Sequence, residues 1–148
     1  MALVSADLTG PDNDPRFLVD LGAVYNISSW HFWNFNEGGG GSSHGLTSAL
    51  ITYSTSNPAG TGSTLGTRSF SQAPGEPTYT GQVFNDSFTA RYILFDIVNS
   101  FDNMQGNFSY GISEIQFNGQ LVPEPSSAIL LVIGGIFMFL RQRRGLVL

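Results

Sequence analysis

The chain contains no cysteine and no lysine, and charged residues make up only 11% of its 148 positions. Without a thiol there is no disulfide framework, no thiolate zinc or iron–sulfur site and no cysteine nucleophile. The few charges are unevenly placed. Arg141, Arg143 and Arg144 fall in the last eight positions, which leaves residues 1–122 with Arg16, Arg68 and Arg91 against ten carboxylates, a charge of about −7. Such a body repels phosphate backbones, and nucleic acid is excluded as a partner. Amphipathic helical periodicity is missing as well. What fills the chain instead is glycine, serine, threonine and asparagine among 13% aromatics. This composition gives a neutral, hydrogen-bonding surface and enough apolar side chains to offset chain entropy.

The one long apolar run lies near the carboxyl end. Residues 128–140 read AILLVIGGIFMFL and the basic cluster RQRR follows at once. As a helix this run spans about 20 Å, short of a hydrocarbon core of about 30 Å. Ser126 and Ser127 can extend it, and Arg141, Arg143 and Arg144 can snorkel to the headgroups as a membrane stop. A transmembrane helix over 128–140 with an outside amino terminus and a cytoplasmic tail at 141–148 is therefore expected. Before it stands Val122-Pro123-Glu124-Pro125, in which two prolines disfavour helix and sheet pairing around one glutamate.

A short proline-flanked motif, an apolar helix and an arginine cluster in this order resemble the PEP-CTERM sorting signal of Gram-negative bacteria that make exopolysaccharide. The resemblance implies recognition of Val122, Pro123, Glu124 and Pro125 by an exosortase, with membrane lipid as a transient partner and the cell envelope or extracellular matrix as destination. An exported protein of this kind should open with a basic patch and an apolar core, whereas MALVSADLTGPDNDPRF carries acids and prolines. Residues 1–16 are accordingly expected to be an irregular acidic segment of an amino-terminally truncated chain.

Between the termini, short alternating runs separated by Gly/Ser/Asn/Pro clusters predict strands at 16–21, 23–35, 46–54, 67–71, 82–88, 91–99 and 112–118. Seven strands at this spacing suit an antiparallel β-sandwich. Ile93, Phe95 and Ile97 oppose Tyr92, Leu94 and Val98, so both faces are apolar and 91–99 is expected at the centre of a sheet. The strings FLVDLGAVYNISSWHFWNFNE, TARYILFDIV and YGISEIQFNG resemble the discoidin, or F5/8 type C, family of galactose-binding-like jelly rolls. The matching features are Asp20-Leu21-Gly22, the tryptophan-rich strand closing with Asn34, the pair Arg91-Tyr92, and Gly111 through Ile115. The resemblance covers residues 17–119 and implies a jelly roll; 120–127 then form the linker and recognition segment.

No motif nominates catalysis. The glycine run at 38–41 precedes no helix, no Gly-x-Ser-x-Gly elbow occurs, and the only histidines, His31 and His44, have no triad context. The chain is read as a non-enzyme. Arg91 and Glu114 each interrupt an apolar run, and on strands that the resemblance brings close together they make an economical structural ion pair. Metal ligands and cofactors are not expected, apart from calcium, left open by the oxygen-rich cluster Asp7, Asp12, Asn13 and Asp14 without EF-hand spacing. Trp30, Phe32, Trp33 and Phe35 alternate between two faces, so half must be core. If Trp33 and Phe35 face outward, they offer stacking surface for a sugar ring, with Asn34, Asn36, Glu37 and His44 as hydrogen-bonding neighbours. The expectation is an all-β, non-catalytic envelope protein whose sandwich binds carbohydrate or exopolysaccharide. The alternative is a structural or adhesion matrix component without a small-molecule ligand.

Overall fold

The computed structural model describes residues 3–7, 15–58, 62–101 and 110–123, and seven strands account for most of these. They are β1 (Leu3–Asp7), β2 (Arg16–Asn34), β3 (Leu46–Ser54), β4 (Ser63–Ser69), β5 (Gln82–Phe84), β6 (Phe88–Ser100) and β7 (Ile112–Leu121). All pair antiparallel in one curled sheet of order β1-β2-β6-β3-β4, while β5 and β7 flank the far half of β2. The 19-residue β2 therefore serves both layers of a sandwich. Its first half pairs with β1 and β6, and its second half with β5 and β7.

Serving two layers requires the side-chain alternation to be reset. Five residue steps on β2, from Asp20 to Tyr25, face two on β6, from Tyr92 to Ala90, and β2 turns there at Gly22, φ +80°. A second shift between Ile27 and Ser29 inverts the parity. Before it Phe17, Val19 and Ile27 are buried; after it Trp30, Phe32 and Asn34 are. The core fills the space between the layers. Phe17 stacks on Phe95 at 4.5 Å, and Trp30 stacks on Phe84 at 4.1 Å while meeting Phe95 edge-on at 5.7 Å. Central strand β6 buries Ile93, Phe95 and Ile97 as its pattern predicts.

The structure revises several boundaries. Residues 3–7, read as irregular, form β1 against Arg16–Asp20. The two strands expected over 16–35 are one. The strand expected at 82–88 breaks after Phe84, because Asp86 turns back to the core edge. There Asp86 Oδ2 accepts from the Trp30 indole Nε1–H at 2.9 Å and from Arg68 Nε at 3.1 Å, and Oδ1 accepts from Arg68 Nη2 at 2.6 Å. The sandwich is a single sheet curled over itself, not two separate sheets. Gln120 and Leu121, assigned to the linker, close β7, and Val122 N–H donates to the Val24 carbonyl at 2.9 Å. Glu124, Pro125, the helix at 128–140 and Arg141, Arg143 and Arg144 lie outside the described residues. Among the described residues no helix is long and apolar enough to cross a membrane.

The Arg68 guanidinium, helped by the Trp30 donor, holds the Asp86 carboxyl below its ordinary value, against the opposing effect of burial. A carboxylate depressed in the folded state stabilises above its unfolded value of about 3.9 and loses that contribution as pH falls through the folded value. Asp86→Asn should cost about 2 kcal/mol at neutral pH. Urea denaturation should then show the gap between wild type and variant constant from pH 7 to about 5 and narrowing below pH 4.

Candidate functional site

The parity inversion at Ile27/Ser29 that sends Trp30, Phe32 and Asn34 inward leaves His31 and Trp33 on the outer face of the second layer. Their rings stack at 3.6 Å and 24°. Phe35 continues the row beyond a further register shift, its ring against Gly111 and edge-on to His44 at 6.0 Å. From His31 to Phe35 the row is about 13 Å long at strand spacing. Beside it the ladders place Val83 and Gln116 opposite His31, and Glu114 opposite Trp33. Val83 is 61% exposed, which marks this as solvent-facing surface, and Glu114 and Gln116 are also exposed. Gln116 Nε2 donates to Glu114 Oε1 at 2.7 Å, which fixes the carboxylate on the strip.

The loop over 72–81 walls one side of the strip. His31 Nε2 lies 2.6 Å from the Thr80 carbonyl, a contact that requires this nitrogen to carry the proton. Next to it Gly81 has φ +73°, and a Cβ there would stand 2.7 Å from the Phe32 carbonyl, 2.8 Å from His31 Nε2 and 3.0 Å from Trp33 Cδ1. Only glycine allows the loop this close. The loop is anchored at its far end by Asn36, whose Nδ2 donates to the Glu76 carbonyl and whose Oδ1 accepts from Gly75 N–H, both at 2.8 Å.

The expected ligand contacts thus separate. Trp33 lies in the strip and His44 at its end. Asn34 does not face a ligand: it is fully buried, its Nδ2 donating to the Leu46 and Ser71 carbonyls at 2.8 and 2.9 Å, its Oδ1 accepting from the N–H groups of Leu46 and Phe35 at 2.8 and 3.1 Å. That geometry satisfies the whole amide and locks the end of β2 to the start of β3. Asn36 is likewise used in holding the loop. Glu37 is exposed but turns over Gly41, where its Oε2 would be 2.8 Å from an added Cβ.

The expected Arg91–Glu114 pair is not formed. Arg91 Nε donates to Asp20 Oδ1 at 2.9 Å and Nη2 to Oδ2 at 3.2 Å, with the guanidinium 4.8 Å from the Tyr92 ring centre. The reason is topological: Asp20 and Arg91 flank the same β2/β6 irregularity in the first layer, whereas Glu114 stands on the outer face of the second. Both partners are over a third exposed, so the pair contributes little to stability. The places of His31, Gln116 and Glu114 on the strip are not legible in the sequence, because the shift between Ile27 and Ser29 has no compositional signature.

Chemically the strip combines aromatic faces with a fixed carboxylate, an amide and backbone carbonyls. Flat apolar surface edged by hydrogen-bonding groups suits a ring that has an apolar face and a polar rim. A cleft of about 640 Å³ opens between the first half of β2 and β7 and shares Glu114 and Gln116 with the strip. Its inner walls, including Leu21, Tyr25, Ile115 and Phe117, are side chains packed on the buried cluster, while Ser113, Glu114, Gln116 and Asn118 line it along β7. Among the described residues no three His, Asp or Glu side chains could share a metal. Asp12, Asn13 and Asp14, on which a calcium reading rested, lie outside them.

No protein-family model matches the sequence, and no curated protein matches it either. Solved structures do resemble the fold. One is the C-terminal domain of a chitobiase from Bacteroides fragilis, with TM-score 0.54 and 17% identity over 74% of this chain and 66% of that one. Another is a fragment, residues 298–461, of a protein assigned as a chitobiase from Bacteroides thetaiotaomicron, with TM-score 0.53 and 18% identity over 75% of this chain and 64% of that one. The chain thus spans just under two thirds of each neighbour, and what it shares with them is the β-sandwich fold.

If Gly81 holds the wall, Gly81→Ala should destabilise by roughly 1–2 kcal/mol from the left-handed backbone alone. It should also displace Trp33, read as a shift in tryptophan fluorescence well before unfolding in urea. An unchanged spectrum and midpoint would remove Gly81 from that role.

Proposed function

We propose that the chain is a non-catalytic, carbohydrate-binding envelope protein that holds glycan on the His31–Trp33–Phe35 strip. The observation that carries this reading is the outward, half-buried Trp33, stacked on His31 and bordered by the hydrogen-bonded pair Glu114–Gln116. An indole presents a flat apolar surface to the C–H face of a pyranose, while carboxylate and amide groups take its hydroxyls. The fold neighbours support the reading, since both belong to proteins bearing the name of a glycan-cleaving activity. Low overall charge supports it too, because a neutral polysaccharide is met by hydrogen bonds and stacking, not by ion pairs. The discoidin-like pattern of the sequence agrees with that class of ligand.

In this reading the carboxyl-terminal residues are an address. Val122, Pro123, Glu124 and Pro125 form the segment that an exosortase reads, residues 128–140 enter lipid, and Arg141, Arg143 and Arg144 stop transfer on the cytoplasmic side. Strand β7 ends at Leu121 and Val122 N–H is held by the Val24 carbonyl, so the motif begins directly after the last strand described.

Two outcomes follow. Trp33→Ala should fold normally by circular dichroism and lose at least about tenfold in affinity for a matrix polysaccharide or oligosaccharide in a pull-down or calorimetric titration. Equal binding by the variant would sink the strip as the ligand site. In a host that carries an exosortase, Glu124→Ala in the full chain should accumulate unprocessed at the membrane; wild-type processing of that variant would sink the address.

A further inference from the structure

We infer that the strip prefers a sugar bearing a free, protonated amine, a hexosamine, over its acetylated or acidic counterparts; this rests on the strip being the glycan site. The ladder sets Glu114 directly opposite Trp33, which places their Cβ atoms about 5 Å apart. The Gln116 amide binds one carboxylate oxygen, Oε1, and thereby orients Oε2. A carboxylate beside an indole face is a cation receptacle, since the ring quadrupole and the anion attract the same charge. A hexosamine supplies that cation on a ring that can stack.

The rest of the charge distribution points the same way. The chain has no lysine, and its three body arginines are placed elsewhere: Arg68 on Asp86, Arg91 on Asp20, and Arg16 in register with Asp96 on the first layer. Among the described residues no lysine or arginine therefore stands on the strip, whose only nitrogen bases are the imidazoles of His31 and His44, and the body as a whole is at about −7. A uronate ring stacked on Trp33 would bring its carboxylate toward Glu114 without an arginine or lysine beside it to compensate. Glu114 thus selects by attraction for one class and by repulsion against another.

The test is calorimetric titration of the full chain at low salt with three probes: a glucosamine trimer, the N-acetylglucosamine trimer and a uronic acid trimer. The glucosamine trimer should bind roughly five- to tenfold more tightly than the acetylated one, and the uronate most weakly. The preference should vanish in Glu114→Gln and at high salt, yet survive in Glu37→Gln, which removes the same charge off the strip. A preference that persists in Glu114→Gln would reduce it to general attraction by an acidic protein and overturn the inference. Equal binding of the amine and acetylated trimers, both lost in Trp33→Ala, would also overturn it while leaving the glycan site intact. Failure of all three probes to bind would bring down the strip and the amine preference together.

Discussion

Everything in this fold depends on β2 having to belong to two layers at once. A strand that passes from one face of a core to the other must keep an apolar side inward throughout, and strict alternation along a bent strand cannot do that. The chain meets the requirement with irregularities, one at Asp20–Tyr25 against Tyr92–Ala90 and another between Ile27 and Ser29. The first bends the strand over the top of the core. The second inverts its faces, so that Trp30 becomes the centre of the aromatic cluster and Trp33 becomes surface. One extra residue thus decides which of two tryptophans is structural and which is available.

A strand that carries so much must be held firmly at its end, and Asn34 does this. Four hydrogen bonds from one buried amide connect the last residue of β2 to Leu46, Ser71 and Phe35. Such a network stabilises by leaving no backbone group unsatisfied where three segments meet, and an apolar residue of similar size would strand two donors and two acceptors. The same junction fixes Phe35 and, through Asn36, the loop whose Thr80 and Gly81 press on the strip. The apparent ligand asparagines are therefore the scaffold of the site, one step behind the residues that a ligand would touch.

This explains what could and could not be read in advance. Element type was legible wherever alternation ran unbroken: β3 matches its expected limits, and Ile93, Phe95 and Ile97 fill the core of a central strand as their spacing demands. The outward disposition of Trp33 was one of two arrangements that the aromatic run allowed, and the choice between them lay in a register shift among serines. Long-range partners were the least legible. Arg91 and Glu114 look alike in sequence, single charges in apolar strands, but a charge pairs with whatever the topology brings near, and the curl of the sheet brings Asp20. Strand β1 escaped for a related reason: five residues of mixed polarity carry little signal of their own and are strand because Arg16–Asp20 offers them an edge.

The scarcity of charge is itself part of how such a surface would work. A domain with many exposed ion pairs would bind a polymer through long-range fields, which salt screens within about 8–10 Å under ordinary conditions. Here the ion pairs Arg68–Asp86 and Arg91–Asp20 are spent within the protein. What remains outward on the strip is aromatic area, an amide and one carboxylate held by that amide. The aromatic and amide contacts act at short range and survive screening, whereas the exposed carboxylate does not; stacking therefore persists at any salt, and discrimination by charge rests on the local pairing of Glu114 with Trp33 at low salt.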